Sequence, residues 1–301
     1  MRLIYERKNL AKSIPLMALM AAINIIIAEL AGLSAIVAIF LILVLPLTSA
    51  IVELCCKDRY FPIYALATFG LSLALTFWNI ETTIFYVFPS IVTGYIFGLL
   101  AKHKIPMIWA IIAATLAQTA ISYTLIPVVN FIFQVDIVLT FKMAFGVASK
   151  TNIDIIIPTF VFLISLIQVG LSMVIVNQEL EKFGVKEETV FVSDFVANWA
   201  GFVFAIIIIP LYFFSLKMAY LYLAISFFFA TNAVVKIFVQ KNYLELIPCG
   251  IAIIADIFLI AFLNSYLVEA SQFLLLGVIS ALICLSSVVF SFLRKKKEKI
   301  Q

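Results

Sequence analysis

Charge and histidine are what this sequence has least of. Only 12% of its 301 residues are Asp, Glu, Lys or Arg, and there is a single histidine, His103. A soluble domain carries about 25% charged residues, so this chain cannot surround itself with a water-facing surface. One histidine and four scattered cysteines (Cys55, Cys56, Cys249, Cys284) argue against a clustered metal centre. No CxxC is present, so there is no spaced redox or zinc framework. HExxH, GxSxG and P-loop motifs are also missing. These absences predict a protein that is not an enzyme and takes no cofactor and no metal. The net charge is only +4, and its bases sit at the ends of apolar segments, which excludes nucleic acid as a partner.

What the sequence does have is long apolar runs. It is 65% hydrophobic, with a mean hydropathy of +1.21. The runs are near ~20 residues rather than ~10-residue alternating strands, so the lipid bilayer is the solvent and helices cross it. The expected fold class is all-α, a polytopic transmembrane helical bundle of about ten spans. The spans are 13–31, 34–52, 61–78, 82–100, 107–128, 155–176, 197–215, 218–239, 245–264 and 270–293. The segment 137–149 is apolar but short and is broken by Lys142, so it reads as a re-entrant or interfacial helix.

Orientation follows from the bases. With both termini cytoplasmic and the spans alternating, all but Lys142, Lys150 and Lys217 of the 20 basic residues fall on the inner side, as the positive-inside rule requires. The basic start before the first apolar run lacks a small-residue cleavage site and reads as a retained first helix. The polar stretch NQELEKFGVKEETVFVSD divides the chain. Three parts result: a six-helix domain over 1–178, a cytoplasmic linker over 179–194, and a four-helix domain with a basic tail over 195–301.

Candidate sites are few. Gln118 and Gln168 lie mid-span, where a polar side chain faces the bundle or a cavity and not lipid. Near the outer ends of the spans stand Trp78, Glu81, Tyr86, Tyr123, Asn130 and Asp154. Aromatics at that depth form interfacial belts, and the same set beside mid-span glutamines also suits a pocket for a small solute. Asp256 is a carboxylate near the middle of an apolar run, and such a group is a functional candidate by default. Asn232 on the preceding helix is at a depth where the two could bond, as an interhelical link or as a proton- or ion-coupling pair. Ala18 and Ala22, at i and i+4, make a shallow strip on the first helix. Such a strip packs within its own bundle or admits a partner helix. GYIFG, with Gly94 and Gly98, reads as packing within the bundle.

The stretch ELCCKDRYFP (Glu53–Pro62) reads as a tight cytoplasmic turn between the second and third helices. Lys57 and Arg59 hold it inside, and Pro62 opens the next helix where no backbone N–H is needed. Glu53 and Asp58 are expected to pair locally with those bases in an exposed setting, which is worth little. The cysteines read as inert thiols, with juxtamembrane lipidation as the alternative.

Two longer patterns carry a resemblance. A basic start leads into the alanine-bearing first helix, then LPLTSAIVELCCKDRYFPIYALATFG, then FPSIVTGYIFGLLAKHKIP. This order resembles the substrate-binding S components of energy-coupling factor (ECF) vitamin transporters. With IDIIIPTFVFLISLIQVGLSMVIVNQELEKFG and YLYLAISFFFATNAVVKIFVQKN added, the whole length resembles the YybS-like family of bacterial multi-pass membrane proteins. The resemblance implies a bacterial plasma-membrane protein that binds or helps translocate a small solute from the outer side. It also implies Ala18 and Ala22 as the docking pair for an ECF T subunit with ATPases below. The alternative is a non-transport scaffold that binds envelope or division proteins. The turn between the first two helices (31–34) is shorter than in S components, and four further helices follow the six-helix unit.

Overall fold

The computed structural model describes residues 9–33, 35–75, 83–103, 105–134, 136, 138–139, 153–182, 194–239, 247, 250–251, 254, 258 and 273–298. Every regular element among them is helical, the form that satisfies backbone polar groups without water. The α-helices are α1 (Leu10–Leu33), α2 (Ala35–Cys55), α3 (Phe61–Leu75), α4 (Phe88–Lys102), α5 (Met107–Phe133), α6 (Ile153–Lys182), α7 (Asp194–Phe214), α8 (Leu216–Val239) and α9 (Leu276–Glu298). A short 3-10 turn (Asp58–Tyr60) precedes α3, and a π-helical turn (Thr83–Val87) precedes α4.

Five of these helices are long and apolar enough to cross a membrane, over Leu10–Ala31, Met107–Ile132, Ile155–Glu179, Phe195–Phe214 and Leu216–Ile237. Shorter apolar helical stretches cover Leu43–Cys55, Phe88–Lys102 and Leu276–Phe290. Nine of the ten expected apolar segments overlap described helices. The other, 245–264, lies outside the described residues except for Ile247, Gly250, Ile251, Ile254 and Phe258, all helical. Of the segment 137–149, only Val138 and Leu139 are described. α6 runs on through Asn177 to Lys182, so the first residues of the long polar stretch are helical.

The chain forms two compact units, Met1–Ile137 with Val161–Val190, and Val138–Phe160 with Phe191–Gln301. In the first, α1 buries Met17, Ala21, Asn24 and Ala28, spaced so that they share one face. That face meets Val52, Tyr60, Tyr64, Val87 and Ile91. A second cluster joins Ala50 and Phe97 to Ala110 and Ala114 of α5 and to Val169 and Met173 of α6. α2 and α4 lie closest. A Cβ on Gly94 would come 2.2 Å from Pro46 O and 2.5 Å from Ser49 Cβ. The GxxxG therefore packs inside the bundle, as its spacing suggested, and it works by letting two backbones approach.

The second unit uses the same devices. A Cβ on Gly201 of α7 would stand 2.6 Å from both Cys284 Sγ on α9 and Phe229 Cβ on α8. Asn198 donates to Ser287 Oγ at 2.7 Å, linking α7 to α9. The hydroxyls of Ser226 and Ser280 bond across α8 and α9, and Phe204 stacks on Phe229.

Candidate functional site

Three polar groupings and one groove stand out in the first unit. The first grouping joins three helices. Thr93 Oγ1 on α4 donates to Gln118 Oε1 on α5 at 3.2 Å, and Gln118 Nε2 donates to Gln168 Oε1 on α6 at 2.7 Å. Gln118 is buried, so its amide is used at both ends where water does not reach. The two mid-span glutamines are thus brought together by a single hydrogen bond.

Of the expected outer set, Tyr86, Tyr123 and Asn130 do not share that burial. Tyr86 and Tyr123 are exposed, at 36% and 43%, and Asn130 is half-buried. Tyr123 is on the same helix as Gln118 but on an exposed face. Asp154 belongs to the first turn of α6. Trp78, Glu81 and Asp256 lie outside the described residues. Asn232 is half-buried, and its Nδ2 has no hydrogen-bond partner among the described residues.

The second grouping was not expected. Thr48 Oγ1 donates to Leu45 O at 2.9 Å and accepts from Asn24 Nδ2 at 2.8 Å and from Tyr64 Oη at 3.2 Å. A hydroxyl has one proton and two lone pairs, so Thr48 is saturated. Tyr64 spends its proton on Thr48, so Ser49 is the donor in the 3.3 Å contact between Ser49 Oγ and Tyr64 Oη. All four side chains are buried. The network ties α1, α2 and α3 together just beyond Pro46, whose missing N–H loosens α2 there. The available signal was Asn24, an amide inside the apolar run AAINIII.

The third grouping corrects the reading of ELCCKDRYFP. α2 ends at Cys55 and α3 starts at Phe61, so the turn is where it was expected. Glu53, however, is fully buried, and its cationic neighbour is Lys102 of α4, not Lys57 or Arg59. Lys102 also donates to Asp58 and to the main-chain oxygens of Cys56 and Glu53. That hydrogen bond holds the Asp58 carboxyl below its ordinary value. Arg59 turns to Tyr60, donating to its hydroxyl at 2.7 Å. Cys55 and Cys56 are buried and form no disulfide.

The groove lies between α1 and α3. It has a volume of about 440 Å³ and is lined by apolar side chains including Ile14, Ala18, Ala22, Ile26, Ile63 and Leu71. Ala18 and Ala22 face outward into it and are exposed, so they are not packed inside their own unit. Among the described residues no three His, Cys, Asp or Glu side chains gather to hold a metal ion.

Comparison of the chain with protein-family models, with curated proteins and with solved structures finds no match.

Proposed function

We propose that the chain is a polytopic membrane protein that binds, or helps translocate, a small solute in the manner of an ECF S component. In this reading it crosses a bacterial plasma membrane about ten times with both termini inside. It belongs to the YybS-like family, and it docks a T subunit through α1, with ATPases below. The observation that supports it is the outward position of Ala18 and Ala22 in an open apolar groove. Two alanines one turn apart let a second helix approach closely where lipid gives no hydrophobic drive. The solute side of the reading rests on Gln118 and Gln168. These are amides held at mid-span, where polar groups are costly unless they serve the bundle or a ligand.

The test is copurification of the full chain from native membranes. Replacing Ala18 and Ala22 together by Trp is expected to lower recovery of membrane-embedded and ATPase partners at least tenfold. Leu66→Trp, at an exposed α3 position outside the groove, is expected to leave recovery unchanged. Equal recovery from all three proteins overturns the docking face. Capture that survives the Trp pair but is lost on deleting 183–190 points instead to a scaffold working through its polar segment.

A further inference from the structure

Neither solute binding nor docking accounts for the placement of Glu53. It is fully buried, no N–H or hydroxyl among the described residues reaches either carboxyl oxygen, and the side-chain group within hydrogen-bonding reach is the Asp58 carboxyl. It sits one residue past the expected second span and outside the five helices long enough to cross a membrane. Gly98 makes the enclosure. A Cβ there would lie 2.6 Å from Glu53 Cβ and 2.9 Å from its Cγ, so the bare backbone of α4 closes over the side chain.

The groups that face the carboxyl are Asp58 from the turn, and Lys102 and Tyr95 from α4. Lys102 Nζ is 3.8 Å from Glu53 Oε1, too far for a hydrogen bond. An ammonium has three N–H groups. Those of Lys102 go to Asp58 Oδ1, to Cys56 O at 3.2 Å and, more weakly, to Glu53 O at 3.5 Å. Lys102 therefore caps the last carbonyls at the end of α2, where a cation is favoured, and does not hydrogen-bond the Glu53 side chain. A carboxylate buried with no N–H donor is costly, and two carboxyls can share a hydrogen bond only if one of them keeps its proton, so Glu53 holds a proton and donates to Asp58.

We propose that Glu53 is a proton-binding site, and that its proton decides whether Lys102 stays on the α2–α3 turn. With Glu53 neutral, Lys102 holds Asp58 and the α2 carbonyls. When the Glu53 O–H breaks, its proton goes to water or a dissolved base and a carboxylate is left facing the ammonium. Lys102 is drawn toward it, and the turn loses its cap. Burial pushes the carboxyl up to about 8, helped by the hydrogen bond to Asp58 and by the Asp58 charge and opposed by the charge of Lys102. The exchange is therefore set between neutral and mildly alkaline pH.

Infrared spectroscopy of the full chain in lipid nanodiscs tests this. At pH 7 a protonated-carboxyl band is expected that Glu53→Gln removes, with a titration midpoint near 8 against about 4.3 for an ordinary glutamate. Lys102→Met is expected to move the midpoint up by about one unit and Asp58→Asn to move it down by a similar amount. Amide exchange over 53–60, corrected for intrinsic pH dependence, should quicken above the midpoint in the parent and stay level in Glu53→Gln. If Glu53→Gln does not fold, the carboxyl carbon shift of Glu53 in the parent reports the same midpoint. A midpoint in the ordinary carboxylate range overturns the proton site. A titrating Glu53 with unchanged exchange over 53–60 overturns the switch.

Discussion

Gln118 on α5 and Gln168 on α6 meet through one N–H···O bond of 2.7 Å, and Thr93 of α4 closes the other side of Gln118. Gln118→Leu keeps the volume but strips two helices of their partner, leaving Thr93 and Gln168 unpaired. Interhelical bonds of this kind are worth about 0.6 kcal/mol on average in membrane proteins, and an orphaned buried partner adds about 1 kcal/mol or more. The expected loss is about 1–2 kcal/mol, read from unfolding in mixed detergent and SDS. Gln168→Leu, at the half-buried end, is expected to cost less. If solute occupies this site, both substitutions also weaken its binding.

Gly94 gives a sharper contrast. A methyl group there must displace Pro46 O, which would lie 2.2 Å away, and Ser49 Cβ at 2.5 Å. Neither can yield, since one is backbone and the other is rooted in the packed helix. Gly94→Ala is expected to part α2 from α4 and sharply reduce the folded yield. Gly70→Ala on α3 meets nothing within 4 Å, so it should be neutral or stabilise by up to about 1 kcal/mol through helix propensity. Folded yield by size-exclusion chromatography separates the two.

These sites differ in how far the sequence could reveal them. Helices and their rough limits follow from uninterrupted hydropathy, because lipid leaves the backbone no other way to bond. The packing of Gly94 followed from its spacing with Gly98. The enclosure of Glu53 did not, because it depends on a bare Cα at Gly98 and an ammonium at Lys102, both far along the chain. Beside Lys57 and Arg59, a glutamate reads as one more exposed charge. The α1–α3 network was hidden differently: Thr48, Ser49 and Tyr64 are tolerated in any apolar run, and only their convergence on Asn24 makes them a unit.

That network sets a third expectation. Tyr64→Phe keeps the ring against Phe61, whose centroid is 5.5 Å away, and removes only the hydroxyl. Thr48 loses one of its two donors and Ser49 loses its acceptor. The loss should be about 1 kcal/mol. Asn24→Leu is expected to cost more, because it puts a bulkier apolar fork in place of the planar amide at a fully buried position and takes the other donor from Thr48. Thermal unfolding of the two variants ranks them.

Two carboxyl groups at the α2–α3 turn give opposite pH dependences. Asp58 is held below its ordinary 3.8 by the hydrogen bond from Lys102. Its contribution is present above that value and is lost as pH falls through the lower folded-state value. Asp58 is half exposed, so the term is below about 1 kcal/mol. Glu53 is raised from 4.5 to about 8. The folded chain then binds a proton that the unfolded chain has already lost. Stability from this group is complete below 4.5 and declines as pH rises to about 8. A melting-temperature profile should therefore slope down across pH 5–8 in the parent. Glu53→Gln should flatten that slope and leave the acid limb in place, whereas Asp58→Asn should soften the acid limb. A parent profile that rises from pH 5 to 8, with Glu53→Gln parallel to it, would mean that Glu53 is ionised in the folded protein.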